Sequence, residues 1–539
     1  MIRFSLGSVA ALLFVGAAVV FAQGDPQPGE AGVGDPYFPT QGNGGYEVQH
    51  YTLDIDVDME TYLASATVTI EANATQDLSA FNLDAQDLDV LNVTVDGQAA
   101  EFEQESDELT ITPADSVANG ASFTVEVDYN IVPDDTAWRS YDGGIYVDTE
   151  PNDARRWFPN NDHPSDKATY TFIVTVDEPY VVAANGILES VVSNDDDTLT
   201  YTWQVDHAMA SYLATVNIAM FEREDLESPA GVPIRNYYPA GQQEALSPLF
   251  APTGEMIDFF SEILGPYPFE VYGVVLPDVE WWDGGETQTL TVLTTFTLDA
   301  YNRPDLQLVA HELAHQWFGN SVSLERWQDI WLKEGIATYA EVLWEEHNAG
   351  EEAAQALLSE RQSLLQNSEN LTIGDPGPRN MYSAPVYYRG AATLAALRVK
   401  IGDEDFFELL RTYLDTYAYG HATTEDFIAL AEDISGEDLT EFFDDWLYQT
   451  ELPDFALSLI ASATCSTRED GATTDLEVTI TAGNGPFVIQ ADNGERILYP
   501  TPGMETVLIT GDMFKNVTVT ETRFDVESIN LGAFDCSDS

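Results

Sequence analysis

The first part of the chain alternates apolar and polar residues with a period of two. Clear runs of this kind lie at residues 51–58, 66–72, 124–129 and 170–176. Such alternation is typical of strands that have one buried and one solvated face, and turn residues separate the runs. The pattern predicts an N-terminal antiparallel β domain over residues 45–235, with 211–220 as one of its last strands.

The middle of the chain shows helical periodicity instead, with apolar residues recurring every three to four positions. The helical segments lie at residues 253–264, 304–318, 329–347, 352–366, 386–400, 403–416, 424–434 and 439–447. Two strand-like runs, 271–276 and 289–296, interrupt them. This mixture predicts a helix-rich α/β domain over residues 236–450.

Alternation returns after Pro453, for example at 476–481 and 517–520, and predicts a small C-terminal β domain over residues 451–539. Residues 23–44 are rich in Gly, Pro, Gln and Asp, which predicts a flexible linker. A chain of 539 residues is too long for one hydrophobic core. We therefore expect a multidomain α+β protein.

Residues 1–22 resemble a secretory signal peptide. Arg3 gives a small positive start, an apolar stretch runs to Phe21, and a small-residue cleavage site ends at Ala22. An uncleaved membrane anchor is the alternative, because the apolar run is long. No later segment is apolar for long enough to span a bilayer. We expect a mature protein that is extracellular or periplasmic and does not insert into the membrane.

The composition excludes some partners. The chain has 93 acidic and 20 basic residues, a formal net charge of −73. Such a surface repels nucleic acid and anionic membranes, so neither is an expected partner. The two cysteines, Cys465 and Cys536, lie near the two ends of the C-terminal domain. In an exported protein they are candidates for a disulfide, which contributes roughly 3–4 kcal/mol; free thiols are the alternative.

Residues 311–315 read His-Glu-Leu-Ala-His. Positions i and i+4 share a helix face, so His311 and His315 direct two imidazoles to one point. A catalytic zinc takes three protein ligands and keeps one position open, and Glu334 in the next helical segment is the candidate third ligand. Glu312, beside His311, is placed to act as general base. The pattern predicts a hydrolytic site with one Zn²⁺ per chain.

With these residues identified, the chain resembles the gluzincin zinc aminopeptidases, the family of aminopeptidase N and leukotriene hydrolase. The zinc motif with Glu334 matches the family signature, and Val-Tyr-Tyr-Arg-Gly-Ala at 386–391 resembles its Tyr-x-Lys-Gly-Ala segment. Residues 158–168 are similar to a signature of the family's N-terminal β domain. The resemblance covers about residues 45–450. It implies a thermolysin-like catalytic domain, with the transition-state tyrosine at Tyr387 rather than Tyr388.

The resemblance also implies how a substrate's free α-amine is bound. Gly-Gly-Glu-Thr-Gln-Thr at 284–289 takes the place of the family's Gly-x-Met-Glu-Asn, which puts the amine-binding glutamate at Glu286 although the Met and Asn are absent. A second amine-binding glutamate maps to Glu150. Two carboxylates that face one ammonium make charge-assisted hydrogen bonds and fix the substrate by its end. Asp329 and Glu341 are candidates for orienting the zinc histidines.

Together these features predict a secreted zinc aminopeptidase that acts on peptides with a free N-terminus. Two alternative functions are compatible with the same residues. One is a different gluzincin activity, either endopeptidase cleavage or epoxide hydrolysis as in leukotriene hydrolase. The other is an inactive peptide-binding protein on the same fold.

Overall fold

The computed structural model describes residues 25–279, 284–294, 306–365 and 371–453, together with strands between residues 460 and 535. The predicted signal peptide at 1–22 lies outside the described residues. So does the predicted disulfide, since neither Cys536 nor the side chain of Cys465 is described. Among the helices that are described, none combines the length and apolar character needed to cross a membrane.

The N-terminal part is built from strands. These are β1 (Gln27–Pro28), β2 (Tyr46–Asp58), β3 (Leu63–Ala74), β4 (Leu78–Asp84), β5 (Asp89–Val95), β6 (Gln98–Ala99), β7 (Glu101–Glu105), β8 (Glu108–Thr112), β9 (Ser122–Ile131), β10 (Trp138–Tyr141), β11 (Gly144–Val147), β12 (Lys167–Asp177), β13 (Val181–Ala184), β14 (Ile187–Ser193), β15 (Thr198–Ala210), β16 (Val216–Ala219), β17 (Phe221–Glu227) and β18 (Pro233–Pro239). The strands expected from alternation are all present as β2, β3, β9 and β12. The expected strand at 211–220 is shorter, because Ser211–Leu213 forms a 3-10 turn before β16.

The largest sheet has eight strands in the order β14-β15-β12-β2-β3-β9-β5-β6. Its neighbours are antiparallel except β12 and β2, which run parallel. Alternate residues of β2, among them Leu53 and Ile55, are fully buried, as period-two alternation requires. Smaller sheets, β1-β4-β8-β7 and β10-β11-β16-β13, complete this part.

The middle part is mainly helical. Its helices are α1 (Gln243–Leu246), α2 (Thr253–Leu264), α3 (Leu306–Ala314), α4 (Trp331–Ala349), α5 (Glu351–Leu365), α6 (Ala384–Ile401), α7 (Asp403–Thr416), α8 (Thr424–Ser435) and α9 (Thr440–Phe443), and its short strands are β19 (Val274–Val275), β20 (Thr291–Val292), β21 (Ser323–Leu324) and β22 (His421–Ala422). Sheet β17-β18-β19-β20 continues from the N-terminal part into this one. The predicted boundary at residue 235 falls inside β18, so the two parts share a sheet there.

The C-terminal segment contains further strands, as its alternation predicted. They are β23 (Ile460–Thr467), β24 (Thr474–Ala482), β25 (Phe487–Ala491), β26 (Arg496–Tyr499), β27 (Thr506–Thr510), β28 (Met513–Glu521) and β29 (Ser528–Asp535). They form the sheets β23-β24-β27 and β26-β25-β28-β29. The expected fold class, a β domain, a helix-rich domain and a small β domain, is confirmed.

Residues 25–44 correct the expectation of a flexible linker. Asp35 and Asn43 are buried, and Asp35 accepts hydrogen bonds from the backbone N–H of Trp327 at 2.8 Å and of Tyr37 at 2.7 Å. The Tyr37 hydroxyl donates to Asp375 at 2.6 Å. A segment whose composition is typical of a loop is thus held by specific polar contacts to the helical part.

Candidate active site

The two histidines lie on one face of the end of α3. The backbone N–H of His315 donates to the His311 carbonyl at 3.2 Å, so the helical turn continues through His315. The two imidazole rings have centroids 4.7 Å apart, and both side chains are buried. The predicted pairing of His311 with His315 at i and i+4 is what the structure shows.

Helix α4 brings Glu334 to the same point from its first turn. Glu334 Oε2 lies 3.4 Å from His311 Nε2 and 3.6 Å from His315 Nε2. One ligand atom from each of these residues lies within 4.8 Å of the other two, which is close enough to hold one metal ion. Two imidazoles and a carboxylate are a donor set that zinc accepts at a catalytic site.

The Nδ1 atoms of His311 and His315 contact hydrogen-bond acceptors outside the group of metal ligands. His311 Nδ1 lies 3.0 Å from Glu341 Oε1, and His315 Nδ1 lies 3.0 Å from the Phe318 carbonyl. Because both partners accept hydrogen bonds, each Nδ1 donates, and each Nε2 is the ring nitrogen that faces Glu334 and would bind a metal ion. The residues present therefore fit zinc.

Glu341 orients His311, as the sequence suggested, and Arg361 in turn donates to Glu341 Oε2 at 2.7 Å. Asp329 does not contact either histidine. It pairs with Arg326 at 3.0 Å and accepts from the Thr424 hydroxyl at 2.7 Å. The suggestion for Asp329 is therefore wrong, because this carboxylate is engaged in tying the start of α4 to α8.

Glu312 is buried beside the metal ligands. One of its carboxylate oxygens lies within 4.8 Å of a ring nitrogen of His315 and of a Glu286 oxygen. Gly284 makes room for it, since a Cβ built on Gly284 would overlap Glu312 Oε1. The absence of a side chain at residue 284 is thus what lets the segment carrying Glu286 pass so close to Glu312.

Tyr387 and Tyr388 take different directions from α6. The Tyr387 ring lies 6.0 Å from the His311 ring at an interplanar angle of 22°. The Tyr388 ring instead faces the Arg361 guanidinium at 5.1 Å. The geometry agrees with Tyr387, rather than Tyr388, as the tyrosine at the metal site.

Glu150 and Glu286 converge on one ammonium group. Lys333 Nζ contacts both carboxylates and lies 2.9 Å from Glu334 Oε1. Burial opposes the positive charge of Lys333, and the three carboxylates outweigh burial and raise its pKa well above the usual value. Burial also opposes ionisation of Glu286, and Lys333 is the main influence that lowers the pKa of this carboxyl.

The structure thus places together all the residues predicted for the site, Glu150, Glu286, His311, Glu312, His315, Glu334 and Tyr387. Sequence reasoning missed Lys333, which is 1% exposed in its side chain. Its position directly before Glu334, on the first turn of α4, was the available signal. The arrangement as a whole is that of a zinc hydrolase site with a cluster of carboxylates beside it.

Comparisons with known proteins agree with this arrangement. Residues 252–446 match the Peptidase family M1 domain, and residues 47–213 match the Peptidase M1 N-terminal domain. The chain belongs to peptidase family M1. The resemblance to the gluzincin aminopeptidases is therefore confirmed.

Solved structures show the same fold. An M1 zinc metallopeptidase from Deinococcus radiodurans is 30% identical, with 78% of this chain and 98% of that chain covered and a TM-score of 0.72. One of its mutants is known with a Tyr-Ser-Ala substrate bound. Leukotriene A4 hydrolase from Saccharomyces cerevisiae is 24% identical, with 76% of this chain and 69% of that chain covered and a TM-score of 0.67, and shows the fold alone.

Curated relatives are longer. Glutamyl aminopeptidase of Bitis rhinoceros is 29% identical over 341 residues, which are 59% of this chain and 35% of that one. Aminopeptidase 2 of Candida albicans is 24% identical over 438 residues, 75% of this chain and 47% of that one. The chain spans about a third to a half of the length of these relatives.

Proposed function

We propose that this protein is a secreted zinc aminopeptidase that removes the first residue from peptides with a free N-terminus, using one Zn²⁺ per chain. The observation that carries the proposal is the convergence of Glu150 and Glu286 on an ammonium group next to the metal ligand Glu334. The contacts of the Lys333 ammonium with both carboxylates support the proposal, because the protonated α-amine of a peptide is the same kind of cation. Such a cluster beside a zinc site favours an exopeptidase.

The metal ligands are His311, His315 and Glu334. Zinc bound there supplies a Lewis acid that polarises the scissile carbonyl and activates water near neutral pH. Glu312 acts as general base: its carboxylate accepts a proton from the attacking water and returns it to the nitrogen of the leaving amine. Its burial next to His315 supports this role.

Tyr387 stabilises the transition state by donating a hydrogen bond from its hydroxyl to the developing oxyanion. Its place against His311 supports this role. Glu286 and Glu150, which both contact Lys333, accept further hydrogen bonds from the substrate's α-ammonium. Because the distance from these carboxylates to the metal ligands is short, only the first peptide bond reaches the reacting groups.

Export is part of the proposal and rests on the signal-like residues 1–22. The expected mature protein begins near Gln23 and is extracellular or periplasmic. N-terminal sequencing of protein recovered outside the cells tests this, and a retained N-terminus in the membrane fraction would contradict it.

Product analysis tests the activity itself. A ten-residue peptide of mixed sequence is incubated with the zinc-loaded protein, and the products are followed by mass spectrometry. A ladder of losses from the N-terminus, abolished by a chelator and restored by zinc, is the expected result. Internal fragments would establish an endopeptidase instead, and an intact peptide that still binds would establish a binding protein.

A further inference from the structure

Residues 158–168 have no part in the proposed chemistry, yet Lys167 of this segment reaches the helical domain. Lys167 begins β12 of the N-terminal sheet. Its Nζ donates hydrogen bonds to the backbone carbonyls of Asn320 at 2.8 Å, Ser321 at 3.0 Å and Gly420 at 3.3 Å. The protonated side chain has three N–H groups, and each of them meets an acceptor here. Burial lowers the pKa of Lys167 to about 7.

Two of the three carbonyls that Lys167 binds, those of Asn320 and Ser321, belong to the turn after the helix that carries His311 and His315. The N–H of Asn320 donates to the His315 carbonyl and the N–H of Ser321 to the Gln316 carbonyl, both at 3.0 Å. The hydrogen bonds from the Lys167 side chain to these two carbonyls therefore stabilise this turn in one position.

The same turn holds the segment that carries Glu286. Asn320 is fully buried, and its side-chain amide donates to the Glu286 carbonyl at 2.5 Å. Gln316 adds a longer contact, 3.4 Å, to the same carbonyl. The main chain of Glu286 is thus fixed to the turn that Lys167 fixes.

We propose that Lys167 is a positioning residue for the amine subsite. From the N-terminal domain it holds the Asn320 turn, and through the Asn320 side chain it sets where the Glu286 carboxylate meets the substrate's α-ammonium. The inference rests on the proposed function, because it concerns the subsite that the function requires. It gives the N-terminal domain a part in substrate selection without any contact between Lys167 and the substrate.

The test uses the full zinc-loaded protein and the variants Lys167→Met, Asn320→Ala and their double mutant. Lys400→Met is the matched control, since Lys400 makes a surface ion pair with Glu437 at 3.4 Å. The readout is amine discrimination, defined as the inhibition constant of 3-phenylpropanamide divided by that of phenylalaninamide, which differ only in the α-amine.

Each single variant is expected to lower amine discrimination about tenfold, the scale of one lost charge-assisted contact. Zinc content stays near wild type. Because Lys167 acts through Asn320, the double mutant falls no further than the lower single mutant. Lys400→Met keeps wild-type discrimination, and Lys167→Arg, which keeps the charge, recovers part of it.

A second readout needs no substrate. It tests the link from Lys167 to Glu286 even if wild type binds the two amides equally well, a result that would refute the proposed function but not this link. Hydrogen exchange of a peptide covering residues 284–294 is expected to accelerate in Lys167→Met and not in Lys400→Met. Unchanged exchange in Lys167→Met, or independent multiplicative losses in the double mutant, would overturn the link from Lys167 to Glu286.

Discussion

Gly335 and Gly390 touch where the helix that carries Glu334 crosses the helix that carries Tyr387. A Cβ built on Gly335 would lie 2.8 Å from Gly390 Cα, closer than side chains are found to pack. The two backbones can therefore approach only because both positions are glycine. Since each glycine lies within one turn of a site residue, this crossing sets how near Tyr387 comes to the metal ligands.

Gly390→Ala is expected to separate α4 from α6. Inserting one methyl group into such a crossing typically costs about 1–3 kcal/mol of unfolding free energy. We expect the turnover number to fall as well, because Tyr387 moves away from His311. Thermal unfolding and steady-state kinetics check both, with the exposed Val399→Ala on the same helix as control. Wild-type turnover in Gly390→Ala would show that the crossing does not set the position of Tyr387.

Glu312→Gln is expected to keep the fold and the bound zinc while the turnover number falls about 10²–10⁴-fold. The amide has nearly the shape of the carboxylate but cannot accept a proton. Metal analysis and kinetics on the same sample check this. A variant that holds zinc and turns over at the wild-type rate would remove the general-base role.

Glu341→Ala is expected to weaken zinc binding about 10–100-fold, because His311 loses the acceptor that fixes its ring. Asp329→Asn is the contrasting variant, since Asp329 contacts Arg326 and Thr424 rather than a histidine. Competition with a fluorescent chelator measures the affinity. Equal weakening in the two variants would contradict the assignment of Glu341 to His311.

Asp166 makes a pH-dependent contribution to stability. Burial raises the pKa of this carboxyl to about 7, against hydrogen bonds from Asn161 and from the Val48 N–H. The folded state therefore binds a proton that the unfolded state releases between about pH 4 and pH 7. This contribution is fully present below the unfolded pKa and is lost as the pH rises through the folded value, up to about 4 kcal/mol.

The comparison of wild type with Asp166→Asn isolates that contribution. Wild type is expected to lose more unfolding free energy than the variant as the pH is raised from 4.5 to 7.5 (roughly the window between the two pKa values). Urea denaturation at a series of pH values measures the difference. Parallel curves for the two proteins would show that the Asp166 carboxyl titrates alike in both states.

The local pattern of the sequence predicts the helices and strands well, but it predicts the contacts between distant helices and strands poorly. Period-two alternation located β2, β3, β9 and β12, and the spacing of His311 and His315 on one helix turn located the centre of the site. The same reasoning identified Glu334 as the third metal ligand, because Glu334 lies on the next helix. These features depend on residues that are close in the sequence.

Contacts between distant segments were the ones missed. Lys333 meets Glu150 and Glu286 because three separate segments converge, and no periodicity records that convergence. The 25–44 segment has the composition of a linker, yet Asp35 is held by the N–H of Trp327, almost three hundred residues away. Polar residues that are buried by distant partners look like solvated ones when the sequence is read locally.

The central claim is that the carboxylates Glu150 and Glu286 select a free N-terminus. The most direct test compares aminoacyl substrates with free and acetylated α-amines, on the wild type and on Glu286→Gln, with zinc content measured in each sample. The account predicts that wild type hydrolyses only the free-amine substrates and that Glu286→Gln loses mainly this activity while it retains zinc. Equal hydrolysis of free and acetylated substrates by zinc-loaded wild type would contradict it.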